Sequence, residues 1–123
     1  AHADRILELG LITDQQRMAN FYAMCDVFAL PSRSDCFASV QVEAMLCGTP
    51  VVAADIPGAR QVVLLTGMGT LVAPRNPEAL AEGIATVLNN AAAYRKPPDF
   101  IQQVFDYEVA IDTYESLLQE LTT

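Results

Sequence analysis

Short apolar runs alternate along the chain with segments whose apolar residues recur at helical spacing, and these two patterns predict strands and helices in turn. Short, wholly apolar runs at 27–30 and 51–54 have the length and composition of buried parallel strands. A third run covers 70–72, and 5–9 can form a fourth strand. Because helical patterns separate these runs, the sequence predicts an α/β fold, with a partial Rossmann-like parallel sheet of three to four strands flanked by helices.

The helices are predicted from apolar residues at helical spacing and from residues that favour helix ends. Thr13 and Gln16 form a capping-box pattern that predicts a helix over 14–24. Asn76 followed by Pro77 predicts the start of another helix. The other predicted segments are a loop over 89–99, one helical turn within 100–105, and helices over 40–47, 59–65, 77–88 and 107–121.

The segment 26–55 is the best-defined unit, since its pattern is that of strand, loop, helix and strand. Pro31 ends the first strand because proline has no backbone N–H for the hydrogen bonds of the sheet. Ser39 is a suitable N-cap for the helix that follows. Gly48 stands where a left-handed residue ends that helix. Ligands of such sheets bind at the carboxyl ends of strands, and helix N-termini favour anions. We therefore expect the site within 32–39.

Composition and charge narrow the class of function. The chain has 123 residues and is 52% hydrophobic, which fits one folded domain with a modest core. Its net charge of −8 argues against a nucleic-acid partner or an anionic membrane surface. The three cysteines fit no zinc pattern, and their odd number without a signal sequence favours reduced thiols. We therefore expect a cytoplasmic protein without a metal site.

The predicted sheet is incomplete for its type. A doubly wound sheet usually has about six strands, so the strands found here would leave an edge uncovered. We therefore expect residues 1–123 to form a single partial domain of a larger protein, or to self-associate through the uncovered edge. The lone histidine, His2, stands beside a chain end and is expected to be flexible.

With these elements in place, the chain resembles the C-terminal, donor-binding domain of a GT-B-fold glycosyltransferase of family 4, the group 1 glycosyl transferases. The resemblance would make this chain half of such a domain, truncated at its N-terminal side, with 106–121 as the closing C-terminal helix. Further matches to the family pattern are Gly58, 69–72 and 77–81. The central motif comprises Asp26-Val27-Phe28, Leu30-Pro31-Ser32, Asp35, Phe37, Glu43-Ala44-Met45, Gly48, Pro50-Val51-Val52 and Asp55.

The resemblance implies transfer of a hexose, with retention, from a nucleoside-diphosphate sugar to an unknown acceptor, without a metal or other cofactor. It implies that Glu43 binds the ribose hydroxyls and that Asp35 acts as the catalytic residue beside the transferred sugar. A missing N-terminal domain would bind the acceptor, so this chain alone is expected to be inactive.

Two further groups of backbone contacts are expected at the site. Gly10 and Leu11 follow the predicted first strand and would offer backbone contacts to the nucleobase. The start of the second helix would offer free N–H groups to a phosphate or sugar oxygen. These N–H groups belong to Phe37, Ala38, Ser39 and Val40.

Each assignment has a structural alternative. Glu43 would otherwise be a surface carboxylate, Asp35 a turn residue, and Gly10-Leu11 an ordinary strand-to-helix turn. Cys36 and Ala38 stand where the family often has glycine, and Asp35 stands where it usually has glutamate. The altered loop 36–38 and the missing half of the domain favour a second function, a non-catalytic α/β interaction or regulatory module that keeps a glycosyltransferase-like scaffold. The two carboxylates and the Pro31-Ser32 strand end favour the glycosyltransferase function.

Overall fold

A computed structural model describes residues 3–122 of the chain, so His2 lies outside the described residues. The three strands of its sheet are parallel and follow the order β1-β2-β3. The register aligns Val51 with both Phe28 and Gly69. The predicted α/β fold with a flanked parallel sheet is confirmed. The strands are Phe28–Leu30 (β1), Val51–Ala54 (β2) and Gly69–Val72 (β3).

Seven α-helices alternate with or follow these strands in the described chain, after a short 3-10 turn at Ala3–Arg5. The predicted loop over 89–99 is wrong in part, because two short helices occupy much of it. Its alanines favour helix, and Pro98 lies in a first helical turn, where proline is tolerated. The helices are Gln15–Met24 (α1), Ser39–Leu46 (α2), Pro57–Thr66 (α3), Pro77–Asn89 (α4), Ala91–Tyr94 (α5), Pro98–Val104 (α6) and Tyr107–Thr122 (α7).

The predicted strand over 5–9 is wrong. Residues 6–14 have no regular secondary structure, and the side chains of Ile6 and Leu7 are 70% and 79% exposed. A strand needs a neighbour for its backbone hydrogen bonds, and no strand of residues 3–122 pairs with this segment. Apolar composition alone therefore does not make this segment part of the sheet.

Two predicted helix caps are also wrong. Asp14 caps α1 in place of Thr13, since its Oδ1 accepts the N–H of Gln16 at 2.8 Å. A carboxylate is a strong acceptor there because the helix dipole is positive at its N-terminus. Ser39 is the first residue of α2 rather than its cap, and the Ala38 before it makes no side-chain cap bond. The predicted left-handed Gly48 is confirmed, with φ of +89°.

The core lies on both faces of β2, whose four residues are all buried. On one face Gly83 lets α4 approach so closely that a Cβ on it would stand 2.6 Å from Val72 Cγ1. On the other face, α2 and α3 bury Met45 and Val62 against the sheet. Burying such side chains contributes about 1.5–3 kcal/mol each to folding.

The last helix, α7, is where the sequence predicts it but leaves its apolar side chains exposed. The apolar face of α7, named so below, comprises Val109, Ile111, Tyr114, Leu117, Leu118 and Leu121.

No helix within residues 3–122 is both long and apolar enough to span a bilayer.

Candidate functional site

A hydrogen bond between two helices organises the candidate site. The Oη of Tyr22 on α1 donates to Oε2 of Glu43 on α2 at 2.9 Å. Tyr22 is 2% exposed, while Glu43 is exposed. The other carboxylate oxygen, Oε1, has no hydrogen bond to any residue in the described range 3–122. Glu43 therefore presents a free oxygen to solvent while Tyr22 holds the other.

Glu43 borders a cavity of about 360 Å³ between α1 and α2, which we call the α1–α2 cavity. Its wall is mostly apolar, with the phenol and the carboxylate as its fixed polar groups. An apolar cavity with a few convergent polar groups is typical of small-molecule sites. The wall comprises Gln15, Met18, Ala19, Tyr22, Glu43, Leu46 and Cys47.

The pKa values of two side chains in the cavity wall are raised. Burial raises the pKa of Tyr22 to about 12, and the hydrogen bond and negative charge of Glu43 add to this rise. Burial, and then the charge of Glu43, also raises the pKa of the Cys47 thiol. At neutral pH Tyr22 is therefore a proton donor in its bond with Glu43, and the Cys47 sulfur stays a protonated thiol.

The loop with Asp35 is held by the start of α3 and by Phe105, which directly follows α6. The N–H of Ala38 donates to the carbonyl of Gly58 at 3.0 Å, and Gly58 also packs against the backbone of Asp35. The ring of Phe37 meets that of Phe105 edge-on, with centroids 6.2 Å apart. These contacts fix the loop backbone and leave the side chain of Asp35 exposed.

The structure brings only one of the predicted site residues into the α1–α2 cavity. That residue is Glu43, while Asp35 lies outside the cavity wall. Gly10 and Leu11 are exposed and also lie outside it. Gly10 has a φ of +70°, a left-handed backbone that favours glycine, and it lies in the irregular segment 6–14 rather than in a strand-to-helix turn.

The predicted row of free N–H groups is corrected at two positions. The N–H of Ala38 is engaged by Gly58, and that of Ser39 donates to the carbonyl of Phe37 at 3.0 Å. Within residues 3–122, no hydrogen bond is found for the N–H groups of Phe37 and Val40. The loop folds back on α3, and this consumes donors that a helix start would otherwise expose.

Tyr22 and Cys47 are candidate site residues that the sequence does not single out. Tyr22 stands at helical spacing with Met18 and Cys25, which is typical of a core position, and a free cysteine such as Cys47 is among the residue types most often buried. The signal for a further role is that a buried tyrosine needs a hydrogen-bond partner for its hydroxyl. Glu43 was the available acceptor on a neighbouring helix.

A second cavity of about 300 Å³ lies at the carboxyl ends of the strands, where Arg33 and Arg75 form part of its wall. Neither guanidinium pairs with a carboxylate among residues 3–122. In the same part of the chain, no three side chains of His, Cys, Asp or Glu are arranged to hold a metal ion. We call this second space the arginine cavity.

The three parallel strands and their flanking helices define an α/β domain with a partial Rossmann-like sheet. The family model described as "Glycosyl transferases group 1" matches residues 6–104. The chain belongs to this family.

Individual relatives agree with the family. D-inositol 3-phosphate glycosyltransferase 2 of Catenulispora acidiphila is 42% identical over 76 residues, which cover 62% of this chain and 18% of that protein. D-inositol 3-phosphate glycosyltransferase of Mycobacteroides abscessus is 40% identical over 86 residues, covering 70% of this chain and 19% of that protein. The chain thus spans about a fifth of the length of these relatives.

A solved structure extends the match to nearly the whole chain. Sucrose-phosphate synthase from Thermosynechococcus elongatus superimposes with a TM-score of 0.77 at 32% identity. The match covers 97% of this chain and 31% of the synthase. The expected relation to one part of a GT-B-type glycosyltransferase is confirmed.

Proposed function

We propose that this chain forms part of the donor side of a glycosyltransferase and binds a nucleoside-diphosphate sugar. In the full-length protein, the bound hexose would be transferred with retention to an acceptor. The observation that carries the proposal is the carboxylate of Glu43, presented by Tyr22 at the mouth of the α1–α2 cavity. Membership of the group 1 family supports the same chemistry.

Glu43 is proposed to bind the ribose of the nucleotide. A carboxylate only accepts hydrogen bonds, so its lone pairs suit the two neighbouring hydroxyls of a ribose. Met18 and Leu46 supply apolar wall against which a sugar or base ring can pack. Hydrogen bonds to a charged group contribute about 1.5–3 kcal/mol, or about 10- to 150-fold in affinity.

Asp35 is proposed to act beside the transferred sugar, where its carboxylate would accept hydroxyl hydrogen bonds and stabilise positive charge at the anomeric carbon. The exposed side chain and the fixed loop backbone support this role. The N–H groups of Phe37 and Val40 would bind a phosphate or sugar oxygen at the start of α2. Gly10 and Leu11 would contact the nucleobase through their backbone. As the resemblance implies, the proposed transfer uses no metal and no cofactor.

Residues 1–123 are proposed to be a single partial domain of a longer cytoplasmic protein. Its N-terminal domain would bind the acceptor, and α7 would be the closing helix that returns toward that domain. The exposed apolar face of α7 supports this arrangement, since such a face is usually covered. Without that domain, we expect this chain to show no turnover. We also expect it to self-associate through the open edge of β1.

A second candidate function is a non-catalytic interaction or regulatory module. The position of Asp35 outside the α1–α2 cavity favours it, as do the engaged N–H groups of Ala38 and Ser39. In that case, the glycosyltransferase scaffold would remain while the protein failed to bind a sugar nucleotide.

A titration of the full-length protein with a panel of nucleoside-diphosphate sugars separates the two functions. We expect binding by one member of the panel, weakened about 10- to 150-fold by Glu43→Ala. Glu82→Ala is the matched control, since Glu82 is exposed on α4 and away from the α1–α2 cavity. Absence of binding across the panel would reject the donor site and favour the second function.

A further inference from the structure

We propose that Tyr22 is a positioning residue for the donor, because its phenol holds the Glu43 carboxylate in the orientation that receives the nucleotide. The inference rests on the proposed function of Glu43. It adds a residue on another helix, whose contribution would pass through the Tyr22–Glu43 hydrogen bond rather than through contact with the reacting sugar.

Tyr22 is well suited to fix a neighbouring group because it is itself immobilised. Its ring stands edge-on to Phe28, with centroids 5.5 Å apart, and also packs against Phe21. Its backbone carbonyl accepts a hydrogen bond from the hydroxyl of Thr49. The phenol oxygen is therefore held at a defined point in the wall of the α1–α2 cavity.

Glu43 has the opposite character, since it is exposed on the surface of α2 and its fixed contact is with Tyr22. A free glutamate loses rotamer entropy when a ligand orders it. If the hydrogen bond to Tyr22 orders the carboxylate before the ligand binds, binding loses less side-chain entropy. The affinity for the ligand is then higher because the carboxylate is preorganised.

The same hydrogen bond also sets which lone pairs face the ligand. Tyr22 occupies one acceptor position of Oε2, and Oε1 has no partner among residues 3–122. Oε1 and the remaining lone pair of Oε2 are then free for two ribose hydroxyls. Because burial and Glu43 keep the phenol protonated, this arrangement does not change near neutral pH.

A purely structural role for Tyr22 makes a different prediction. The hydroxyl would then only satisfy the need of a buried phenol for a partner. Its removal would lower the free energy of unfolding without changing donor binding. Tyr22→Phe separates the two roles, since it keeps the ring packed between Phe21 and Phe28 and removes only the hydroxyl.

The test is a double-mutant cycle in the full-length protein, with donor KM and kcat measured for Tyr22→Phe, Glu43→Ala and the double variant. We expect Tyr22→Phe to raise KM about three- to tenfold with little change in kcat. In the Glu43→Ala background, the same substitution should have no further effect on KM. Tyr114→Phe, on the exposed apolar face of α7, is the matched control.

The outcomes separate this inference from the proposed function. If Glu43→Ala leaves KM unchanged, the proposed function fails. If Glu43→Ala raises KM but Tyr22→Phe does not, or if the two effects are additive, only the positioning role is overturned.

A measurement on the intact hydroxyl covers the case in which Tyr22→Phe does not fold. Fluorotyrosine can be incorporated and followed by fluorine NMR, and the Tyr22 signal can be assigned by substitution of the other tyrosines. We expect this signal to shift when the donor nucleotide is added, and to stay unchanged on the same addition in Glu43→Ala. If adding the nucleotide does not shift the Tyr22 signal in either protein, the positioning role is overturned.

Discussion

The backbone of Gly58, at the start of α3, lies directly against the backbone of Asp35 in the loop before α2. A Cβ placed on Gly58 would overlap the carbonyl group of Asp35. The carbonyl of Gly58 also accepts the N–H of Ala38 at 3.0 Å. A glycine thus permits the close approach that fixes the shape of the proposed catalytic loop.

Gly58→Ala should therefore displace the Asp35 loop. We expect a loss of about 3 kcal/mol in the free energy of unfolding, at the upper end of overpacking costs, and faster proteolysis within 31–38. Urea unfolding and limited proteolysis measure the two effects. In the control Gly48→Ala, the added Cβ meets no atom within 4 Å, so the cost is limited to the left-handed backbone. Equal proteolysis of the loop in both variants would contradict the role of Gly58.

The raised pKa of Tyr22 predicts a loss of stability at alkaline pH. A phenol with a pKa of 10.0 when unfolded and about 12 when folded stabilises the fold fully below pH 10. That contribution declines as the pH rises from 10 to 12, because the unfolded state then releases its proton first. We expect the free energy of unfolding, measured in urea, to fall less steeply over this range in Tyr22→Phe. Identical slopes in the two proteins would show that the phenol is not buried against Glu43.

Cysteine reactivity provides a probe of the α1–α2 cavity. Cys36 is exposed, whereas burial and Glu43 raise the pKa of the Cys47 thiol. Since the thiolate is the reactive form, iodoacetamide should alkylate the exposed Cys36 faster than Cys47 near neutral pH. Glu43→Gln should accelerate the reaction of Cys47, because it removes the negative charge. Peptide mass spectrometry after timed alkylation measures both rates, and a Cys47 rate equal to that of Cys36 would argue against the cavity as described.

Residues 1–123 expressed alone should behave as an incomplete domain. The open edge of β1 and the apolar face of α7 are exposed, so we expect dye binding to apolar surface and concentration-dependent association. Leu117→Ser combined with Leu121→Ser should reduce both, and Asp112→Asn on the same helix is the control. Light scattering and dye fluorescence measure these effects. A compact monomer that binds no dye would contradict the proposal of a partial domain.

The sheet was predictable where the chain carries all the information that a strand requires. The run 51–54 is wholly apolar and lies between two other strands, so composition and burial agree, and β2 has its predicted bounds. The run 5–9 carries charged Arg5 and Glu8 among its apolar residues and lacks a pairing partner within the described chain, and it forms no strand. Strand formation depends on neighbours that a local pattern does not contain.

The candidate site was predictable to a smaller degree, for a related reason. Glu43 could be singled out because a carboxylate among apolar helical residues demands an explanation. Its link to Tyr22 joins residues 21 positions apart on different helices, and no local spacing predicts such a contact. Similarly, the N–H of Ala38 is not free for a ligand because it donates to the carbonyl of Gly58. Gly58 packs against the loop only after the chain has folded back, so the local sequence does not predict this bond.

A crystal structure of the full-length protein with a nucleoside diphosphate shows whether Glu43 holds the donor nucleotide. We expect ribose hydroxyls within about 3.2 Å of the Glu43 carboxylate, with the Tyr22 hydrogen bond retained. A nucleotide bound elsewhere, for example in the arginine cavity beside Arg33 and Arg75, with Glu43 left free, would rule out this role of Glu43.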